Sequence, residues 1–225
     1  MGICDNLRAV SAAIWTKERE HPFVRGMGDG SLAPEIFRFY LEQDYLFLID
    51  YAKVFAWGVV KSPDLTTQAE FAKLCAETLG VEMALHRSAC AEFDLTPADL
   101  EAAQPAQVTQ GYTGHLLSVA AGGSLAEIVA AVLPCQWGYA EVARHLKAAG
   151  LPAEPRYRKW IEMYASDEFD AYGAWLRSML ESLAPYCSGE ERARLVDHFH
   201  NSSRWEYLFW EMAWRREMWA VPEGD

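Results

Sequence analysis

Three side chains stand out for chemistry: the thiol of Cys135 and the carboxylates of Asp44 and Glu206. Cys135 comes directly after Pro134 inside an otherwise helical run, SLAEIVAAVLPCQWGYAEVARHLKAAG, with Tyr139 one turn on. A proline there removes a backbone hydrogen bond and tilts the next residues away from a regular helix surface. The plainer reading is a tolerated kink beside a small buried thiol. Asp44 shares one helix face with Phe47, Leu48 and Tyr51 in YLEQDYLFLIDY. Burying a lone carboxylate among apolar side chains is costly, so it has a buried partner such as an arginine or it awaits a ligand. Glu206 poses the same question in SSRWEYLFWEMAW, where Glu211 falls on another face. Tyr112 in the glycine-flanked GYTGH, and Tyr164 one turn from Trp160, are core tyrosines by default. Taken together these residues describe a site for a flat ring. Aromatic walls suit a heterocycle, paired carboxylates can accept from an exocyclic amine and move a proton at a ring nitrogen, and a thiol adds a nucleophile.

Glu82 and His86 have the i, i+4 spacing that can hold a metal. A carboxylate-bridged di-iron bundle needs more ligands on facing helices. His21, His115, His145, His198 and His200 do not complete such a set, so a structural Glu82–His86 hydrogen bond is expected, with no metal and no cofactor. Asp197, His198 and His200 read as a solvent-facing cluster.

The elements that must position these residues are helices. Ser124 with Glu127 forms a capping box, and Gly150 ends that helix. A first helix is expected over about 5–20, then an ordered turn in HPFVRGMGDGSL. Long helices are expected over 34–61 and 64–92, a short one after Thr96-Pro97, and one over 106–122. Beyond Pro152 and Pro155, helical pattern runs over 157–182 with a break near Ser166. Two further helices are expected over 189–201 and 203–219. No strand alternation, repeat or long linker competes, so the chain of 225 residues reads as a single all-α domain over 1–225.

Composition narrows the functional classes. A net charge of −12 argues against a nucleic-acid partner, which needs clustered Lys and Arg. No apolar run reaches transmembrane length unbroken. MGICDNLRAV lacks the pattern of a signal peptide, and Asn6 stands where an acylation start would want Ser or Thr. Five cysteines without a CxxC pair fit free thiols in a reducing cytoplasm.

HPFVRGMGDGSL, Tyr40-x-x-Gln43-Asp44-Tyr45-x-x-Leu48, EMALH at 82–86, YTxH at 112–115, LPCxWxY at 133–139 and SSxxEYxFWxMA at 202–213 resemble the TenA/thiaminase II family of aminopyrimidine aminohydrolases. The resemblance covers almost the whole chain. It implies a heme-oxygenase-like helical bundle without heme, assembled as a homotetramer. It also implies that Cys135 is the nucleophile, that Asp44 grips the pyrimidine's amine and a ring nitrogen, and that Glu206 handles protons with leaving group and water. Tyr112, Tyr139 and Tyr164 would line the ring. Phe47 stands where some members carry tyrosine, keeping a stacking surface without its hydroxyl. The reaction implied is hydrolysis of 4-amino-5-aminomethyl-2-methylpyrimidine, a thiamin breakdown product, with thiamin cleaved by the same residues. Two other classes stay open: a pyrimidine- or thiamin-binding protein whose cysteine is only packing, and an oxidase of the same bundle fold.

Overall fold

The computed structural model describes residues 2–221. Met1, part of the acylation-like start, and residues 222–225, the end of the expected domain, lie outside the described residues. Every regular element among the described residues is helical. The helices are α1 (Ile3–Val10), α2 (Ala12–Arg19), α3 (Pro22–Asp29), α4 (Pro34–Lys61), α5 (Leu65–Glu77), α6 (Met83–Ala91), α7 (Pro97–Ala102), α8 (Gln107–Gly122), α9 (Leu125–Ala149), α10 (Pro155–Tyr164), α11 (Asp167–Leu183) and α12 (Gly189–Arg215). A π-helical turn, Thr78–Glu82, joins α5 to α6, and a 3₁₀ turn, Ala184–Tyr186, precedes α12.

The centre of the bundle is α9. Its first half is buried on every face from Leu125 to Pro134, as a helix apolar at every position but Glu127 must be. It packs against α8, α10, α11 and α12, while α4 lies against α5, α6, α8 and α12. The expected capping box closes: Ser124 Oγ accepts from Glu127 N–H, and the Glu127 carboxylate accepts from Ser124 N–H. Helix α9 runs through Pro134 without interruption, so Cys135 and Tyr139 stay one turn apart.

Five local expectations are corrected. HPFVRGMGDGSL is not a turn but carries α3, with His21 as N-cap accepting from Phe23 N–H, Pro22 at the first position and Gly30 ending it at φ 82°. The first helix breaks at Ser11, whose buried hydroxyl lies 3.1 Å from His200 Nδ1. The expected 64–92 helix is interrupted by the π turn.

The expected break near Asn201 does not exist, because Ser202 and Ser203 are buried inside α12. The Ser203 hydroxyl donates to the Phe199 carbonyl at 2.9 Å and accepts from the Trp15 indole N–H at 2.9 Å, so a residue that usually loosens helices is tied on both sides. Helix α12 ends at Arg215 rather than near Trp219, since Arg216 adopts the left-handed conformation at φ 52°.

Ser203→Ala leaves a buried indole N–H without an acceptor. It is expected to lower unfolding free energy by about 1–3 kcal/mol, measured as a reduced denaturant midpoint at unchanged slope.

Candidate active site

Helix α4 sends Tyr40, Asp44, Phe47 and Tyr51 inward along one face, at the spacing that stacks successive turns. Asp44 is 4% exposed and its Oδ2 is doubly engaged. The Tyr40 hydroxyl donates to it at 3.1 Å, and His86 Nε2 lies 2.6 Å away. Trp160 Nε1–H donates in turn to the Tyr40 oxygen at 3.2 Å. Asp44 Oδ1 has no donor among the described residues, so one oxygen is saturated by the protein and the other is free for a ligand.

His86 also meets the Glu82 backbone carbonyl through Nδ1 at 3.1 Å, so Nδ1 carries a hydrogen and a further proton lies between Nε2 and Asp44. Burial works against the imidazolium, but the hydrogen bond and charge of Asp44, aided by Glu82, raise the histidine's pKa. Of the two alternatives for Asp44, a buried partner such as an arginine or an awaited ligand, a buried partner is present, and it is this histidine. The expected Glu82–His86 hydrogen bond exists through the Glu82 backbone. Its carboxylate instead accepts from the Tyr164 hydroxyl at 3.2 Å, and burial first, then Asp44, raises Glu82 to about 7. Among the described residues no three His, Cys, Asp or Glu side chains are placed to hold a metal ion.

Helix α12 contributes Glu206, 3% exposed, whose Oε1 accepts from the Tyr112 hydroxyl of α8 at 2.6 Å. Burial raises its pKa to about 8; Asp44 adds to the rise, while bonding to Tyr112 and Cys135 opposes it. Glu206 is therefore largely a neutral acid at pH 7. Cys135 projects from α9 between these groups. Burial pushes its thiol well above the ordinary range, Glu206, Asp44 and Glu82 push the same way, and only the Tyr51 hydroxyl opposes them. The resting group is a thiol. Glu211 turns elsewhere, to His21 at 2.9 Å and to Arg215.

Aromatic rings close the walls. Phe47 lies 5.0 Å from Tyr112 and stacks on Tyr51 at 5.2 Å. Tyr139 sits 5.1 Å from both Tyr164 and Trp210, and Trp160 packs 4.5 Å from Tyr164. Asp44, Phe47, Tyr112, Cys135, Tyr139, Tyr164 and Glu206 thus converge on one region of the interior. Sequence reasoning missed Tyr40 and the role of His86. The first had a signal, one turn before Asp44 on the same face. The second did not, because His86 reaches Asp44 only through the packing of α6 on α4. A thiol, a carboxylate with one free oxygen and a neutral carboxylic acid, boxed by rings, can bind an amino-substituted heterocycle, add to it and move protons around it.

Known proteins share this fold and much of this sequence. The sequence pattern described as the TENA/THI-4/PQQC family matches residues 8–216. A relative from Halalkalibacterium halodurans, named aminopyrimidine aminohydrolase, is 44% identical over 220 residues, spanning 97% of this chain and 98% of its own. The solved TenA homologue protein from P. horikoshii OT3 superposes with a TM-score of 0.88 at 34% identity, covering 96% of this chain and 99% of its own. A domain of unknown function with a heme oxygenase-like fold, from Shewanella denitrificans OS217, superposes at 0.73 and 17% identity over 95% and 92% of the two chains, which identifies the bundle as that fold. With the family pattern spanning nearly the whole bundle and every residue of the acid–thiol cluster inside it, the chain belongs to the TENA/THI-4/PQQC family.

Proposed function

We propose that the chain is an aminopyrimidine aminohydrolase, a hydrolase of carbon–nitrogen bonds serving thiamin salvage. Its substrate is 4-amino-5-aminomethyl-2-methylpyrimidine, converted with water to the hydroxymethyl pyrimidine and ammonia, and it also cleaves thiamin with the thiazole leaving. The observation that carries this reading is the opposed state of the two carboxyl groups beside Cys135. Asp44 is held by His86 and Tyr40 with one oxygen free, and Glu206 is kept neutral by burial.

The chemistry rests on that opposition. Asp44 Oδ1 accepts from the exocyclic amine of the ring and sets its orientation. The ring lies among Phe47, Tyr112, Tyr139 and Tyr164. The Cys135 sulfur bonds to an electron-poor ring carbon, its proton passing to a ring nitrogen through a carboxyl group. The electron pair so delivered expels the leaving amine through the methylene, and Glu206 supplies the proton that amine needs. Water then adds to the exocyclic methylene, Glu206 takes a proton back, and the sulfur departs as the ring recovers its aromaticity. A neutral resting thiol fits this sequence, since addition consumes a proton at the ring in the same step.

The same reading has the protein working in a reducing cytoplasm, where its five cysteines stay unpaired, and as a homotetramer. The five are free in the fold. Exposed apolar side chains such as Val60, Leu65, Leu79 and Val81 offer surface for assembly. No helix of the described residues is long and apolar enough to cross a membrane.

Cys135→Ala is expected to lower ammonia release from the aminopyrimidine by roughly 10³-fold or more while leaving the helical circular dichroism unchanged; near-normal turnover would end the mechanism. Because Glu206 acts first as an acid, kcat should hold below about 8 and fall as pH rises through that value. In Glu206→Gln the alkaline limb should vanish and kcat drop by about 10²–10⁴-fold. Sedimentation equilibrium should give four times the chain mass of 25.4 kDa.

A further inference from the structure

Glu18 of α2 is a buried carboxyl group that the reaction described above does not use. It is 3% exposed, and its Oε1 has no hydrogen-bond partner. Leaving such an oxygen dry is costly, and an apolar side chain of similar size would fill the space more favourably. A polar group kept inside on those terms calls for a role.

Three contacts fix the register of α2 on α12. Ser11 Oγ lies 3.1 Å from His200 Nδ1, the Trp15 indole N–H donates to Ser203 Oγ at 2.9 Å, and His21 Nε2 lies 2.9 Å from Glu211 Oε2. These partners stand 189, 188 and 190 residues apart, so the two segments run in the same direction at a nearly constant offset. That offset sets Glu18 against Glu206, each one turn beyond the Trp15–Ser203 bond on its own helix. From the other side, Glu18 Oε2 lies over α9 at Gly138, 4.0 Å from where a Cβ would stand. Cys135 comes one turn before Gly138 on that face of α9, and Glu141 one turn after it.

The cations nearest Glu18 are engaged elsewhere. Arg8 of α1 and Arg19 of α2 both bond to Glu141 of α9 at 2.7 Å. His200 and Glu211 of α12 are held by Ser11 and His21. Burial first, then the charge of Glu206, raise Glu18 well above the ordinary carboxylate range, and Arg8 and Arg19 oppose this without reversing it. Glu206 is faced in turn by Tyr112 of α8, Cys135 of α9 and the charge of Asp44 on α4. When Glu206 gives its proton away, Glu18 still keeps its own. A protonated carboxyl beside a newly formed carboxylate is a donor facing an acceptor.

We propose that Glu18 is a positioning residue for the reaction: its carboxyl group donates a hydrogen bond to Glu206 during the interval in which Glu206 is a carboxylate, after protonating the leaving amine and before taking a proton from water. No proton is gained or lost by Glu18 over the cycle. This inference rests on the aminopyrimidine reading above.

The test follows ammonia release from the aminomethyl pyrimidine against pH in the full chain, in Glu18→Met and in Glu18→Gln. Glu18→Met removes the donor. It should lower kcat by about tenfold or more with KM within about twofold, and move the alkaline limb, set by Glu206 near 8, upward by about one pH unit. Its denaturant midpoint should hold or rise, because the group removed has an unpartnered oxygen. Glu18→Gln keeps a donor and should recover kcat to within about threefold of the unmodified protein. Glu18→Leu carries the same expectations should Glu18→Met fail to fold. A limb that stays in place or moves down without the donor would overturn the proposal, since the latter marks Glu18 as a like charge. So would a Glu18→Gln variant as slow as Glu18→Met, or a loss of kcat matched by a lowered denaturant midpoint. If the unmodified protein released no ammonia from the aminopyrimidine, the aminopyrimidine reading itself would fall, a result separate from any effect at Glu18.

Discussion

Carboxyl groups of like charge cannot all ionise in one dry interior. Asp44, Glu82 and Glu206 surround one thiol, and each solves the conflict differently. Asp44 has His86 for a counter-charge and Tyr40 for a donor. Glu82 and Glu206 have tyrosine hydroxyls and no ion pair, and burial outweighs the charge of His86 near Glu82, so their protons are held more tightly, near 7 and 8. Glu18 on α2 is a fourth member of the set, pushed up by burial and by the charge of Glu206. The division of labour between a fixed anion and a mobile proton is thus set by which neighbours each carboxyl finds.

Such a cluster persists only if its frame cannot relax around it. The frame is aromatic: Tyr40 stacks on Trp210 at 5.5 Å, Trp210 meets Tyr139 at 5.1 Å, and Phe209 closes on Phe47 at 5.8 Å. Large flat side chains bury much area with few rotatable bonds, so they hold hydroxyls in place at low entropic cost. Their own hydroxyls stay protonated, because burial raises Tyr40, Tyr112, Tyr139 and Tyr164 well above the usual phenol range. Tyr40, Tyr112 and Tyr164 each donate to a carboxylate of the cluster.

Helical class and most element positions were legible in the sequence, because periodicity and capping residues are local signals. Ser124 with Glu127, and Pro34 at the start of α4, declared themselves. The misread segments failed for reasons that are not local. Ser202 and Ser203 look like a break, yet the Trp15 indole reaching in from α2 supports them. HPFVRGMGDGSL carried a proper cap, a first-position proline and a terminal glycine, but its three glycines outweighed those signals. At the site, residues sharing a helix face with Asp44 were readable by spacing. The Asp44–His86 pair joins residues on different helices, and only tertiary packing shows that His86 meets the Asp44 carboxylate and Glu82 the Tyr164 hydroxyl.

The π turn at Thr78–Glu82 has a geometric corollary. Each residue added to an α-helix rotates the remainder of that helix by about 100°, so a single wider turn re-aims everything downstream without ending the helix. The exposed, apolar side of α5–α6 absorbs the bulge at Leu79 and Val81, while Glu82 and His86 arrive together on the inner side. Straightening that stretch by excising one residue would swing both groups off the core as a unit, disconnecting the anion at position 44 from its counter-charge although neither side chain had been altered.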